Sequence, residues 1–251
     1  MDARRGLFGD FTLATAVLTR LPVETGTPEA GAIATACWAF PLVGAGVGAV
    51  AAIVFVAAEL LGCTAPVAAL LAVFAGILLT GAFHEDGLAD TADGFGGGRG
   101  AAAKLEIMRD SRHGTYGILA LIASVGLRTA ALAAMASPLD AGLALIAAHV
   151  VSRAALPALM RTMQPARADG LAATAGRPSF PSALVAAIFG IAIGLIFLGP
   201  PRGAAALILT GTALATMAVL ARRQIGGYTG DVLGAFEQIG EIAMLLIAAA
   251  K

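Results

Sequence analysis

Charged residues are scarce in this chain, and the shortage argues against an ordinary water-soluble domain. Only 13% of the 251 residues are Asp, Glu, Lys or Arg, whereas soluble globular proteins carry about 25%. Hydrophobic residues make up 59%, and the mean hydropathy is +0.88. Aromatic residues are also few, at 6%, while there are 32 glycines. Because small side chains let membrane helices approach closely, the composition predicts an all-α, polytopic membrane helical bundle.

The sequence also lacks features that several other classes of protein require. Cys37 and Cys63 are the two cysteines, and both lie in or beside apolar stretches, which favours buried free thiols. The formal net charge is zero, so nothing indicates a nucleic-acid partner. There is no Gly-x4-Gly-Lys-Ser/Thr motif, which argues against an ATP-driven motor. Arg4 and Arg5 precede a mixed stretch that Asp10 interrupts, which is not typical of a signal peptide.

Seven stretches are apolar enough to cross a bilayer, which takes about 20 residues of helix. The count carries an error of about one, because the first stretch contains Pro41 and the last carries Glu237 and Glu241. We expect the whole chain, 1–251, to form a single integral membrane catalytic domain. The predicted spans are 33–61, 66–83, 115–136, 141–160, 183–199, 203–221 and 232–250.

Lysine and arginine are unevenly divided between the two sides of this predicted topology. Two lie on one side, Arg202 and Lys251, and two more lie within spans. Because cytoplasmic segments are enriched in Lys and Arg, we expect the N-terminus and the three long connections, 84–114, 161–182 and 222–231, to be cytoplasmic. The twelve cations on that side are Arg4, Arg5, Arg20, Arg99, Lys104, Arg109, Arg112, Arg161, Arg167, Arg177, Arg222 and Arg223.

The first long connection begins with a regular acidic motif. If 84–94 is helical, Asp86, Asp90 and Asp93 fall within about 60° of one helix face. Such carboxylates repel one another unless a cation lies between them, and oxygen ligands without cysteine favour Mg²⁺ or Mn²⁺. We predict these three as catalytic metal ligands, with Glu85 as a further ligand. The alternative is a solvated acidic face, but 84–98 contain no Lys or Arg.

A glycine-rich and then cationic stretch follows the acidic motif. Glycines in a turn let backbone amides approach phosphate oxygens, and arginine suits bidentate phosphate binding. The alternative assigns the cations to membrane orientation and lipid headgroups, and the two roles can coexist. The predicted substrate-binding residues are Gly96, Gly97, Arg99, Lys104, Arg109, Asp110 and Arg112.

A second acidic set opens the last span. We predict Asp231 as a catalytic residue that completes the metal shell or acts as general base, since it lies on the same side as the triplet. Glu237 and Glu241 lie deeper, where carboxylates face an interior cavity. They either take part in catalysis or pair with Arg128 or Arg153, and the sequence leaves both readings open. The polar stretch 167–171 is too unspecific to receive a role.

Metal-binding carboxylates beside phosphate-binding groups favour phosphoryl or nucleotidyl transfer at a membrane surface. Three motifs, 84–94, 109–117 and 226–235, together with 19–22 and 41–44, resemble the cobalamin synthase family, also called adenosylcobinamide-GDP ribazoletransferase. His113 and Tyr228 depart from the pattern, but neither removes a carboxylate. The resemblance covers nearly the whole chain.

The resemblance implies a late step of cobalamin biosynthesis. A hydroxyl of α-ribazole, or of its 5'-phosphate, would attack the corrinoid-side phosphorus of adenosylcobinamide-GDP, and GMP would leave. It also implies Mg²⁺ as the cofactor and the bacterial inner membrane, with its lipid, as the location. The sequence leaves the oligomeric state open, a homo-oligomer included.

Two other functions remain to be weighed. CDP-alcohol phosphotransferases also space aspartates at helical intervals, but their motif needs Asp-x2-Asp-Gly-x2-Ala-Arg, and this chain has Asp-Gly-x2-Asp-x2-Asp-Gly instead. A secondary transporter would suit the charged residues within the spans. Transporters, however, bind near the bilayer midplane and carry internal repeats, whereas the richest acidic cluster here lies at one surface and no repeat is found.

Overall fold

The computed structural model describes residues 6–27, 29–110, 112 and 114–250, and this part of the chain is helical without a β-strand. Arg4, Arg5 and Lys251, used in the charge count, lie outside the described residues, as do Ser111 and His113 of the second motif. The helices are α1 (Leu7–Leu18), α2 (Ala32–Ala36), α3 (Phe40–Leu60), α4 (Ala65–Thr80), α5 (Phe83–Gly97), α6 (Ala101–Ile107), α7 (Thr115–Ala133), α8 (Pro138–Thr162), α9 (Leu171–Ala175), α10 (Phe180–Leu198), α11 (Pro200–Ile225) and α12 (Gly230–Ala249), with a 3₁₀ turn at Cys37–Ala39.

The predicted helical membrane bundle is confirmed. Six helical segments of the described chain are long and apolar enough to cross a membrane, and a bent pair, α4 and α5, raises the number to seven if it is one span. Helix α3, continuous with α2 and the 3₁₀ turn, supplies the span that contains Pro41. The proline lies in the first turn of α3, where its missing N–H costs no hydrogen bond, so it starts the helix.

Helices α8 and α12 form the centre of the bundle. Helix α8 packs on α3, α10 and α12, and α12 also packs on α5, α7 and α11. The outer helices carry exposed apolar side chains such as Ile188, Ile196 and Ile208. In water these would cost free energy, but lipid solvates them, so the outward apolar faces fit a bilayer. The central helices are left to carry the polar groups.

A sharp break separates α4 from α5. Helix α4 ends at Thr80, and it is followed by Gly81 with a φ of 71° and Ala82 with a φ of 60°. Glycine adopts this left-handed conformation without steric cost. The two helices are bent by 91° at this point. As a result α5, which carries the acidic motif, turns away from α4 and packs against α12 and α7.

Two glycines allow α5 and α12 to cross closely. A Cβ at position 87 would lie 2.7 Å from the carbonyl oxygen of Asp231, and a Cβ at position 234 would lie 3.1 Å from that of His84. Side chains at either position would force the helices apart. The crossing therefore brings the start of the acidic motif against the start of α12.

Candidate active site

The acidic motif is helical, as its spacing predicted, but its three aspartates differ in exposure. Helix α5 contains Asp86, Asp90 and Asp93. Asp86 is exposed, Asp90 is half-buried and Asp93 is buried. The face that carries the motif is thus exposed at Asp86 and covered at Asp93, where the start of α7 packs on it. This gradient gives the three carboxylates different surroundings despite their regular spacing.

Asp231 is the carboxylate that the fold brings to Asp86. It lies in the first turn of α12, and Thr229 Oγ1 donates to its Oδ2 at 3.1 Å. The charge of Asp86 acts on Asp231, although 145 positions separate them in the sequence. Because Gly87 packs on the backbone of Asp231, this proximity follows from the helix crossing. The acidic site is therefore assembled from two distant segments, as the sequence-based topology predicted.

Arg167 joins this site, and sequence reasoning gave it no role. Its Nη2 donates to Asp231 Oδ2 at 3.1 Å, while its Nη1 is buried without a hydrogen-bond partner. A buried guanidinium N–H that lacks an acceptor is costly. Nothing in the polar stretch 167–171 distinguished this arginine from the other cations that the charge count assigned to the same side. Only its contact with Asp231 in the folded chain identifies Arg167 as part of the site.

Backbone pairing between two connections fixes the position of Arg167. Ala166 N donates to Tyr228 O at 2.8 Å, and Tyr228 N donates to Gln164 O at 3.0 Å. A Cβ at position 227 would lie 2.1 Å from Gln164 O, so only glycine permits this approach. Burial of the Tyr228 ring also raises the pKa of its hydroxyl. The connection after α8 and the connection after α11 are therefore paired by two backbone hydrogen bonds, which hold Arg167 beside Asp231.

Asp93 holds the start of α7. Its Oδ2 accepts from Gly114 N at 2.6 Å and its Oδ1 accepts from Gly117 N at 2.9 Å. These amides belong to the first turn of the helix, where N–H groups lack intrahelical partners and the helix dipole favours negative charge. The geometry thus gives Asp93 a positioning role. Its metal-ligand role stays a prediction.

Glu85 points away from the triplet, into the bundle. Its Oε1 accepts from Arg128 Nη2 and from Gln238 Nε2, both at 3.0 Å, and the side chain is buried. Adjacent residues on a helix diverge by about 100°, which explains why Glu85 and Asp86 face different surroundings. This geometry lends no support to Glu85 as a metal ligand, and that role too remains only predicted.

The pairing of the deeper carboxylates with the arginines of the spans is confirmed. Arg128 Nη1 donates to Glu241 Oε2 at 3.0 Å. Arg153 Nη1 contacts both Glu237 Oε1 and Glu241 Oε1. Ser152 donates to Glu237, and His149 contacts Arg153 and Glu241, while Glu85 Oε2, Arg128 Nε and Arg153 Nε stay buried without a hydrogen-bond partner. We call Glu85, Arg128, His149, Ser152, Arg153, Glu237, Gln238 and Glu241 the interior network.

The glycine-rich turn was predicted in the wrong place. Helix α5 continues to Gly97, so Gly96 and Gly97 lie in its last turn. Gly96 is needed for packing, since a Cβ there would lie 2.5 Å from the ring of Tyr116. Because both residues are helical, the turn assumed for a phosphate cradle does not lie at these positions, and their substrate-binding role stays a prediction. Arg99, just beyond the helix, is exposed.

The other predicted substrate-binding cations have protein partners. Lys104 is buried, and its Nζ donates to Phe95 O at 2.8 Å, where it satisfies a carbonyl near the end of α5. Exposed Arg109 donates to both carboxylate oxygens of Asp169. Asp110 accepts from exposed Arg112, whose hydrogen bonds lower the pKa of that carboxyl. The substrate-binding roles of all these residues stay predictions.

The fold and the site define a polytopic membrane protein with acidic residues on α5, which the starts of α7 and α12 approach at Asp93 and Gly87. The chain belongs to the cobalamin-5-phosphate synthase family, whose model matches residues 10–249. It is 53% identical over 247 residues to the adenosylcobinamide-GDP ribazoletransferase of Bradyrhizobium diazoefficiens, covering 98% of this chain and 95% of that protein. Proteins of the same name from Mesorhizobium japonicum (46% identical, 97% and 94% covered) and Azorhizobium caulinodans (44% identical, 96% and 95% covered) are also similar. A comparison with solved structures finds no significant match.

Proposed function

We propose that this protein is an adenosylcobinamide-GDP ribazoletransferase that completes the nucleotide loop in cobalamin biosynthesis. The observation that carries the proposal is the meeting of Asp86 and Asp231 beside Arg167, in a chain whose relatives of that name match it over nearly its full length. Carboxylates and a guanidinium in one site provide the groups that phosphoryl transfer requires.

The reaction joins two substrates through one phosphorus. The hydroxyl oxygen of α-ribazole, or of its 5'-phosphate, forms a bond to the corrinoid-side phosphorus of adenosylcobinamide-GDP. The bond from that phosphorus to the bridging oxygen breaks, and GMP leaves with the electron pair. The hydroxyl proton passes to a carboxylate of the site. The product is adenosylcobalamin or its 5'-phosphate.

The donor set fits Mg²⁺. Asp86 and Asp90 are accessible on α5, Asp231 faces them from α12, and all offer oxygen ligands. A cation between Asp86 and Asp231 would remove their mutual repulsion. When bound, Mg²⁺ would neutralise diphosphate oxygens and stabilise the leaving phosphate. Asp231, held by Thr229 and Arg167, is oriented to take the hydroxyl proton or to complete the ligand shell.

Arg167 supports binding of the diphosphate. Its Nη2 holds Asp231, and its buried Nη1 is a donor without an acceptor, which a phosphate oxygen would supply. Arg99 and Arg112 are exposed cations on the same predicted side and would attract the charged substrate. The proposed location is the bacterial inner membrane. The end of the bundle that carries Asp86 and Asp231 would face the cytoplasm, as would the N-terminus. The protein could act as a monomer or as a homo-oligomer.

The experiment supplies purified protein in detergent with adenosylcobinamide-GDP, α-ribazole and Mg²⁺. We expect release of GMP together with a complete corrinoid, and loss of both when EDTA removes the metal. No GMP at any divalent ion concentration, with CMP released from CDP-diacylglycerol instead, would show that the reaction is that of a CDP-alcohol phosphotransferase.

Asp90→Asn tests the acidic motif within the same assay. The substitution removes one negative charge at nearly constant volume, so we expect turnover to be abolished while membrane insertion stays intact. Insertion is measured by the yield of monodisperse protein in detergent. Wild-type turnover in the variant would remove Asp90 from the metal site.

A further inference from the structure

A pocket lies between the end of α8, the short helix α9 and Tyr228. It has a volume of about 330 Å³, at the lower end of the range of about 300–1,000 Å³ that is usual for small-molecule sites. Met160 and Met163 contribute apolar walls, and Arg161 and Arg177 contribute cationic ones. Arg177 is exposed, so water reaches the pocket from that side. The size and the mixed walls suit a small polar ligand.

The two arginines of this pocket are held next to each other. Arg161 Nη1 donates to Pro178 O at 2.9 Å, and its guanidinium carbon lies 5.8 Å from the centre of the Phe180 ring. Arg177 Nε donates to Arg161 O at 2.9 Å. The remaining guanidinium nitrogens of Arg177 have no protein partner in the described part of the chain. Both side chains are therefore anchored, and N–H donors are left for a ligand.

The pocket carries positive charge that its own walls do not offset. Among the described residues that line it, Arg161 and Arg177 are charged, and neither Asp nor Glu is present. Two cations in one pocket repel each other unless an anion lies between them. The planar N–H groups of arginine match phosphate oxygens in pairs. We therefore expect an anionic ligand with several acceptor oxygens.

Two lining residues place the pocket close to the acidic site. Tyr228 is three residues before Asp231, so their Cα atoms are at most about 11 Å apart. Pro165 is two residues before Arg167, which limits that separation to about 7 Å. Arg167 in turn donates to Asp231. An anionic group in the pocket and a hydroxyl at Asp231 can thus belong to one small molecule.

We propose that this pocket binds the 5'-phosphate of α-ribazole 5'-phosphate, an inference that rests on the proposed function. A phosphate monoester carries about 1.5 to 2 negative charges at pH 7 and three acceptor oxygens, which matches two arginines. The ribose joins this phosphate to the hydroxyl that attacks phosphorus, so one molecule reaches from Arg161 and Arg177 to Asp231. The two arginines make the phosphorylated co-substrate the preferred one.

Other ligands match the pocket less well. A lipid phosphodiester offers less negative charge and fewer free oxygens than a monoester. The guanine base of adenosylcobinamide-GDP carries no charge that would offset Arg161 and Arg177. The charge of the pocket therefore favours the phosphate monoester over both.

A comparison of α-ribazole with its 5'-phosphate isolates the contribution of the phosphate. We expect wild type to bind the 5'-phosphate about 100-fold more tightly, about tenfold for each arginine, because hydrogen bonds to charged groups are the strong ones. Equilibrium dialysis in detergent measures both affinities without turnover. Equal affinity for the two compounds would overturn the proposal.

Arg177→Met tests the exposed arginine. We expect the preference for the 5'-phosphate to fall about tenfold, while the affinity for α-ribazole, which has no phosphate, stays the same. Arg223→Met is the control, since Arg223 is also exposed but does not line the pocket. An equal fall in both variants would show a long-range attraction by surface charge and would overturn the proposal.

Two further variants sharpen the result. Arg177→Lys keeps the charge and loses the planar pair of donors, so its preference should lie between those of wild type and Arg177→Met. The double variant Arg161→Met/Arg177→Met should bind the two compounds equally. Thermal unfolding is measured on each variant, and the Arg177 single variants decide the proposal if the double variant does not fold. A 100-fold preference in the folded double variant would contradict the placement of the phosphate.

The outcomes separate this proposal from the proposed function. Failure of wild type to release GMP would overturn the function, whereas the binding measurements decide the pocket independently of turnover. A raised KM for adenosylcobinamide-GDP in Arg177→Met, with the preference for the 5'-phosphate unchanged, would overturn the pocket proposal and assign the pocket to the guanosine part. Loss of a co-purified phospholipid from that variant, again with an unchanged preference, would overturn it in favour of a lipid headgroup.

Discussion

Two groups of carboxylates lie on the same pair of helices, α5 and α12, and differ in what surrounds them. In the interior network, Glu85, Glu237 and Glu241 are buried and each contacts an arginine of α7 or α8. At the acidic site, Asp86 is exposed and Asp231 is 23% exposed. Buried charges persist only when they are paired, whereas accessible carboxylates can exchange partners. The first group is therefore suited to fixing the helices, and the second to binding a substrate.

Glu85 and Asp86 are adjacent in the sequence, yet Glu85 belongs to the interior network and Asp86 to the acidic site. Asp86→Asn should reduce GMP release on the order of a thousandfold without changing thermal stability, since a metal contributes several kcal/mol of transition-state stabilisation. Turnover and the melting temperature in detergent are measured on the same preparations. A fall in stability equal to the loss of activity would show that Asp86 belongs with the structural group.

Glu85→Gln is the matched variant. It removes a charge from the interior network and leaves Arg128 with one carboxylate fewer, so we expect a lower melting temperature and turnover that falls only with the folded fraction. Abolished turnover at unchanged stability would instead support Glu85 as a metal ligand and break the comparison.

Arg153→Met should have the largest effect on stability. The substitution leaves Glu237 and Glu241 buried without the guanidinium that both contact, and breaking such a buried pair costs about 3–5 kcal/mol. Thermal unfolding followed by size-exclusion chromatography measures the loss. Arg223→Met, at an exposed arginine, should leave the melting temperature unchanged. Equal melting of the two variants would remove the interior network from the forces that hold the bundle.

Arg167→Ala tests the cation that belongs to the acidic site. We expect turnover to fall about 100-fold, with a rise in the KM for adenosylcobinamide-GDP, because one donor to a charged transition state is worth about 2.7–4 kcal/mol. Arg223→Ala is the control at an exposed arginine near the end of α11. If both variants keep wild-type kinetics, Arg167 has no role in the reaction and only holds the connection after α8 against Asp231.

Asp110→Asn should have the smallest effect. Hydrogen bonds from Arg112 lower the pKa of the Asp110 carboxyl, whose side chain is 40% exposed, so any stabilisation is present above its ordinary pKa and is lost as the pH falls through the lowered value. Solvent screens this pair, and we expect the same melting temperature at pH 7 in the variant and wild type. A shift of several degrees would show that the exposed loop supports the bundle.

The fold was largely predictable because lipid imposes a simple rule. Apolar stretches of about 20 residues must become helices, since backbone groups have no other partners in hydrocarbon. The break at Gly81 and Ala82 was not foreseen, because the apolar pattern of 66–83 shows no charge or proline at that point. The end of α5 was also misplaced: Gly96 reads as a turn residue, but the ring of Tyr116 selects glycine within a helix.

The candidate site was predictable only in part. Helical spacing placed Asp86, Asp90 and Asp93 on one helix, and topology placed Asp231 on the same side. Spacing could not show that α7 covers Asp93 while Asp86 stays exposed, because that depends on which helix packs on α5. Arg167 was missed because its approach to Asp231 depends on a two-hydrogen-bond pairing between connections about 60 residues apart.

By itself the sequence determined the helical membrane fold, the helical acidic motif and the resemblance to one family, because these follow from local hydropathy, residue spacing and motif order. The tertiary structure alone decided which carboxylates are structural and which are accessible. Glu85 and Asp86 are neighbours of similar chemistry, and the helix turns one toward Arg128 and the other toward Asp231 and water. That separation depends on the close crossing of α5 and α12, which a linear pattern of residue types does not contain.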